Sequence, residues 1–112
     1  MKLETVYQKE DKSLVLKITE ELDHHTVEKI RRKADYEIER YIPRKVVLDF
    51  NSVSFMDSAG IGMIIGRYKL ATMYGASLEI TNVCSQVHRI LDMSGVSKLV
   101  NIYNIEEELN HA

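Results

Sequence analysis

The 112-residue chain has one cysteine, one proline and no tryptophan, and it has no long hydrophobic run. Each scarcity closes off a class of protein. A lone Cys84 cannot form an intrachain disulfide, so the fold must rest on a hydrophobic core, as suits a reducing compartment. No run approaches the roughly 20 apolar residues of a membrane-spanning helix, and Met1-Lys2-Leu3-Glu4-Thr5 carries no apolar signal-peptide core. The chain is expected in the cytoplasm without direct membrane insertion, reaching a membrane only if a partner carries it there. An excess of one charge is also missing, since 15 Lys and Arg stand against 17 Asp and Glu for a net charge of -2. That balance gives no electrostatic footprint for nucleic acid. The basic cluster Lys29, Arg31, Arg32 and Lys33 is interleaved with Glu28, Asp35, Glu37 and Glu39, and so reads as a solvated helix face.

What is present is the composition of a globular protein, 45% hydrophobic and 29% charged, sized for one domain over residues 1–112. Residues 3–8 and 13–19 have strand character, the second alternating Leu14, Leu16 and Ile18 with Val15 and Lys17, and the short polar link between them predicts a hairpin. Asp23 is expected to cap a helix, with Leu22 and Val27 closing a hydrophobic staple and Val27, Ile30, Ala34, Ile38 and Tyr41 on its apolar face. Pro43 ends that helix and is expected to hold Ile42 extended. A strand at 45–50, a helix running to about Tyr74 with Gly75 behind it, a strand at 77–81, a short helix closed by Ser94-Gly95 and a strand at 98–103 follow. Asn104 and Glu107 resemble a capping box, with Ile105 and Leu109 as its small apolar face. The order is β-β-α-β-α-β-α-β-α, an α/β layer fold with a mixed β-sheet, an N-terminal hairpin and helices packed on it. Gly62 and Gly66, spaced G-x-x-x-G, are expected to pack closely on the sheet.

The chain is organised around Phe55-Met56-Asp57-Ser58-Ala59-Gly60-Ile61-Gly62, a strand-to-helix turn. With Asp57 as N-cap, Met56 and Ile61 fall at N′ and N4 and can form a staple, whereas a Ser58 cap would place Gly62 at N4 with nothing to pack. Asp57 is therefore the favoured cap. This leaves the Ser58 hydroxyl free at N1, on a helix end that favours negative charge. Asp-Ser is also ordinary helix-start chemistry, and pattern alone does not separate the two possibilities.

Enzyme signatures fail. Met56 stands where a nucleophile elbow needs Gly, Ile65 where a dinucleotide fingerprint needs its third Gly, and Arg67 follows Gly66 where a P-loop needs Lys. No catalytic residue, cofactor or metal is assigned. His24 and His25 are expected to point to different faces, and Cys84 with His88 has no third ligand. Cys84 reads as a small buried hydrophobe, and Met56, Met63, Met73 and Met93 as core fillers.

Asp57-Ser58-Ala59-Gly60-Ile61-Gly62 resembles the phosphorylation-site signature of the anti-sigma factor antagonists, members of the sulphate transporter and anti-sigma antagonist (STAS) domain family. The resemblance extends through Glu21-Leu22-Asp23-His24-His25-Thr26, Gly66-Arg67-Tyr68-Lys69 and Asp92-Met93-Ser94-Gly95, closest to the sporulation sigma-F branch. Ala59 stands where several members have a second Ser, which removes a rival acceptor, and Glu20 where many have Gly. The resemblance implies that the unphosphorylated chain binds an anti-sigma factor with ATP-dependent serine kinase activity and so frees a sigma factor. Phosphorylation of Ser58 would end the association and a serine phosphatase would restore it, with Mg and ATP bound on the partner. The alternative is a non-switching STAS subunit of a lipid or anion transporter. The expected contact surface spans the helix starts along one sheet edge: Asp23, His24, Asp57, Ser58 and Ile61, with Arg67 contributing.

Overall fold

The alternation of Leu14, Leu16 and Ile18 becomes packing in the computed structural model, which describes residues 3–105. Strands β1 (Leu3–Gln8) and β2 (Ser13–Ile18) form the antiparallel hairpin, with Leu3 opposite Ile18 and Gln8 opposite Ser13. The three apolar residues are buried and Lys17 between them is exposed, as a period of two demands of a sheet covered on one face.

Helix α1 (Val27–Tyr41), β3 (Lys45–Asp49), α2 (Ser58–Met73), β4 (Ser77–Val83), α3 (Ser85–Ser94) and β5 (Asn101–Asn104) follow. Among the described residues the sheet runs β1-β2-β3-β4-β5, with the neighbours after the hairpin parallel. Because strand order equals chain order, right-handed crossovers all step the same way and put the three helices on one face. Between helices and sheet lies one core, in which Leu16, Leu48 and Ile80 from the strands and Ile30, Ile64 and Leu91 from the helices are all at 0% exposure. The helix starts therefore line one edge, at the C-terminal ends of β2, β3 and β4.

Several elements depart from expectation. Helix α1 begins at Val27, a turn after Asp23. Asp23 instead caps the preceding turn, its Oδ1 accepting the N–H groups of His25 at 2.9 Å and Thr26 at 3.1 Å. Thr26 stabilises that turn further by donating its hydroxyl to the Glu21 carbonyl at 2.6 Å. Ile42 is left-handed, φ 43° and ψ 62°, rather than extended. Pro43 disfavours the right-handed helical region for Ile42, yet the Ile42 N–H still completes the helix by donating to Ile38 O at 2.9 Å. The left-handed well satisfies both demands, at a strain unusual for a β-branched residue.

The last strand starts at Asn101, because a 3₁₀ turn at Val96–Lys98 follows left-handed Gly95 and uses the N–H groups of Lys98 and Leu99. Strand β4 continues past Thr81 to Val83, through an irregularity at left-handed Asn82, φ 58°. The expected capping box with Glu107 and Leu109 lies outside the described residues. Gly62 and Gly66 have open space around them, whereas Gly60 is the tightly packed glycine. Met56 and Met63 fill the core at 2% and 3% exposure, but Met73 and Met93 stand out in solvent at 79% and 82%.

Candidate functional site

Two loops on the helix-start edge are tied together by their backbones. Leu22 N–H donates to Phe55 O at 3.4 Å and Asp57 N–H to Leu22 O at 3.1 Å, forming a parallel bridge between Leu22 and Met56. The Glu21 carboxylate closes the same junction, accepting Ser54 N–H at 2.8 Å, Phe55 N–H at 3.2 Å and the Ser54 hydroxyl. Burial pushes the Glu21 pKa up, but the hydrogen bonds from the Ser54 side chain and from the Ser54 and Phe55 backbone outweigh it. The carboxyl therefore sits below its ordinary value.

Helix α2 starts against this junction. A Cβ at Gly60 would stand 3.0 Å from Leu22 O and from Met56 Cβ, so only glycine allows the helix to seat so close to the bridge. Asp57 is the N-cap, in extended conformation, with Oδ1 accepting Ala59 N–H at 2.8 Å. Its Oδ2 accepts the backbone N–H of His24 at 3.3 Å and lies 3.3 Å from His24 Nδ1. Desolvation raises the Asp57 pKa, but hydrogen bonds from the His24 ring and the Ala59, His24 and Gly60 backbone together lower it by more, and the net shift is downward.

With the cap supplied by Asp57, Ser58 is the first helical residue and is exposed. Among the described residues its hydroxyl has no hydrogen-bond partner. Ile61 is half-buried, and with Met56, Asp57, Ser58, Ile90, Met93 and Ser94 it lines an open groove of about 350 Å³ between α2 and α3. Asp23, His24, Asp57, Ser58 and Ile61 are thus brought to one edge.

Arg67 is not. Its side chain is 8% exposed and its Nε lies 2.7 Å from Asp35 Oδ1 on α1, a Coulombic contact without hydrogen-bond alignment. Desolvation lowers its pKa and Asp35 offsets part of that. Arg67 holds α2 to α1, with its buried side chain turned to Asp35. His24 and His25 do not diverge either, since their rings lie 4.0 Å apart with planes tilted by 39°. Phe55, 47% exposed, and Met93 sit at the same edge and were missed from sequence. Met93 lies off the Val87, Ile90, Leu91 stripe of α3, which was the available sign of its exposure.

Cys84 is half-buried and donates weakly to Val53 O at 3.7 Å, while His88 pairs with Asn104 and Asp92. Among the described residues no group of three or more His, Cys, Asp or Glu is placed to hold a metal ion, and no helix is long and apolar enough to cross a membrane. The site offers a solvent-facing hydroxyl at a helix N-terminus, ringed by hydrogen-bonded acidic groups and bordered by an apolar groove.

Comparison with known families matches residues 4–109 to the STAS domain. The chain belongs to the STAS domain family. It is similar to an anti-sigma F factor antagonist of Paenibacillus polymyxa, 42% identical over 93 residues that cover 83% of this chain and 80% of that one. Among solved structures it is similar to the anti-sigma factor antagonist SpoIIAA in its unphosphorylated form, with 26% identity, a TM-score of 0.75 and coverage of 97% and 94%. It is also similar to the Bacillus cell fate determinant SpoIIAA in the phosphorylated form, with 25% identity, a TM-score of 0.67 and 97% of each chain covered. These STAS relatives are regulatory proteins by name, not enzymes.

Proposed function

We propose that this STAS domain, taken as one unit over residues 1–112, is a cytoplasmic anti-sigma factor antagonist switched at Ser58. In its unphosphorylated form it binds an anti-sigma factor that is also a serine kinase, and so frees a sigma factor for transcription. The kinase then moves the γ-phosphoryl group of its own ATP to Ser58 Oγ. The hydroxyl proton goes to a base on the kinase, and ADP leaves. A serine phosphatase hydrolyses the phosphoester and restores the binding form. The chain is the substrate in both steps, with catalytic groups, Mg and nucleotide supplied by its partners.

The observation that carries this is the placement of Ser58. Asp57 takes over the capping, so the hydroxyl is exposed and unpartnered among the described residues at the first position of α2. A serine needed only to start the helix would be the cap itself. The partner surface in this proposal comprises Asp23, His24, Asp57, Ser58 and Ile61 with the groove beside them. A non-switching transporter subunit would need the fold but not the free hydroxyl, and the 42% identical relative carries the anti-sigma antagonist name over most of its own length. The test is incubation with ATP and a kinase-type anti-sigma factor, followed by mass spectrometry. One phosphate on Ser58, absent from Ser58→Ala, is the expected result, and phosphate elsewhere or none overturns the proposal.

A further inference from the structure

We infer that Phe55 is an anchor of the contact with the anti-sigma factor, held ready by the Glu21 carboxylate for an apolar cavity on that partner; this rests on the function proposed above. The loop that carries it buries Phe50, Val53 and Met56 at 0–2% exposure and leaves Phe55 at 47%. An exposed aromatic usually costs ordering entropy when it docks, and such residues repay it best when their backbone is already fixed. At Phe55 the backbone is held on both sides. Its N–H donates to Glu21 Oε1, its carbonyl accepts Leu22 N–H, and the preceding Ser54 donates twice to the same carboxylate.

Sheet order then gives the residue a definite place. The loop after β3 lies between the loop after β2, to which Phe55 is bonded, and α3, which follows β4. The segment of Phe55, three residues before Ser58, is therefore joined to the β2 side of the edge, while the groove of Ile61, Ile90 and Met93 borders Ser58 on the α3 side. A partner that brings a kinase active site to Ser58 must cover both flanks. An exposed aromatic ring on one side and an apolar groove on the other give such a partner two apolar footholds around the polar Ser58. The partner should offer a phenyl-sized apolar cavity with a polar rim, set next to its phosphoryl-transfer site.

Calorimetric titration of the full chain with the kinase-type anti-sigma factor tests this. Phe55→Ala should weaken binding at least about 30-fold, the range of aromatic hot spots, and slow Ser58 phosphorylation at subsaturating concentration. Tyr36→Ala, which removes an aromatic 63% exposed on α1, should leave affinity unchanged. Glu21→Ala should weaken binding about five- to tenfold in the wild-type background and by no more than about twofold beside Phe55→Ala, because it acts through Phe55. Phe55→Gln serves in place of Phe55→Ala should that variant fold poorly. A variant at Phe55 with a native amide spectrum and affinity within about threefold of wild type overturns the anchor. A wild-type chain that neither binds the anti-sigma factor nor accepts phosphate at Ser58 overturns the function beneath it instead.

Discussion

His24 and Asp57, 33 residues apart in the chain, share one carboxylate oxygen: Asp57 Oδ2 faces both the backbone N–H and the ring Nδ1 of His24 at 3.3 Å. The other oxygen caps α2 through Ala59. A single side chain thus fixes the start of the helix that carries Ser58 and docks it to the loop after β2. Glu21 does the same for the loop one turn earlier, at Ser54 and Phe55. The edge is preorganised by two carboxylates on top of the backbone bridge and buried packing of Leu22 and Met56.

Those carboxylates predict an acid-sensitive edge. Both have folded-state pKa values below the ordinary 4.5 for Glu and 3.8 for Asp. A group depressed in this way stabilises the fold above its unfolded pKa and loses that contribution as pH falls through its folded pKa. Amide protection factors at Ser54, Phe55 and Ala59, corrected for intrinsic exchange, should be flat above about pH 5.5 and fall below about pH 4. Glu21→Gln should remove the decline at Ser54 and Phe55 while leaving that at Ala59. An acid limb at Ser54 untouched by Glu21→Gln would show that the clamp is not its source.

The glycines of α2 should separate by sign. Gly60→Ala drives a Cβ to 3.0 Å from Leu22 O, a backbone atom that cannot turn away. A cost of about 1–3 kcal/mol follows, as for overpacking in a filled core. Gly66→Ala meets open space, and replacing a mid-helix glycine there should stabilise by about 0.5–1 kcal/mol. Urea denaturation of both variants checks the pair, and equal effects would contradict the packing of α2 against the bridge.

Arg67 should matter to stability and not to affinity. Among the described residues, Arg67→Met leaves Asp35 with only Arg31, 3.6 Å away, as a cationic partner. The loss should be about 1–3 kcal/mol, below the 3–5 of a fully buried pair because Asp35 remains 22% exposed. Adding Asp35→Leu should recover much of it, since an apolar pair can replace a buried ion pair at little cost. Partner affinity per folded molecule should match wild type, and a drop of tenfold or more would return Arg67 to the contact surface.

Sequence chemistry carried far where the chemistry was local. The Asp57 cap followed from the spacing of Met56 and Ile61, and the hairpin and the order of elements along the chain from period and link length. What escaped was set by contacts across the chain. The start of α1 slipped because Thr26 bonds back to Glu21 O, and the Glu21 clamp reaches residues 33 and 34 positions away. Some errors were avoidable. The buried stripe of α2 is Gly60, Met63, Ile64, Arg67 and Ala71, so reading back one turn from Ile64 finds the packed glycine, and reading forward finds Arg67 facing inward. The G-x-x-x-G spacing and the charge of Arg67 distracted from that stripe. Ile42 escapes the expected extended geometry because the rule for residues before proline excludes the right-handed helical well and leaves the left-handed one open beside the extended one.

Phosphorylation of Ser58 should act locally, breaking the partner interface without refolding the domain. A phosphoserine adds about -1.5 to -2 charge, and at the first position of α2 the free N–H groups and the helix dipole favour it. Asp57 opposes that gain by like-charge repulsion, and its hold on His24 and Ala59 keeps its carboxylate in place. Terms at an exposed helix end are each about 0.3–1 kcal/mol, so folding stability should change by less than about 1 kcal/mol. Binding is more vulnerable, because a dianion beside the groove of Ile61 and Met93 would be buried by a docked partner. An unpaired charge at a desolvated interface costs roughly 2–5 kcal/mol, and 2 kcal/mol already corresponds to about a 30-fold loss of affinity. Ser58→Asp, with one charge and less bulk, should reproduce part of that loss, whereas Ser58→Ala should bind and never be released. Amide NMR spectra of the two forms should differ around residues 22–26, 54–62 and 90–94 and coincide elsewhere. Shifts spread through Leu3–Gln8 and Asn101–Asn104, at the two outer strands of the sheet, would mean that the switch is conformational and that the electrostatic account fails.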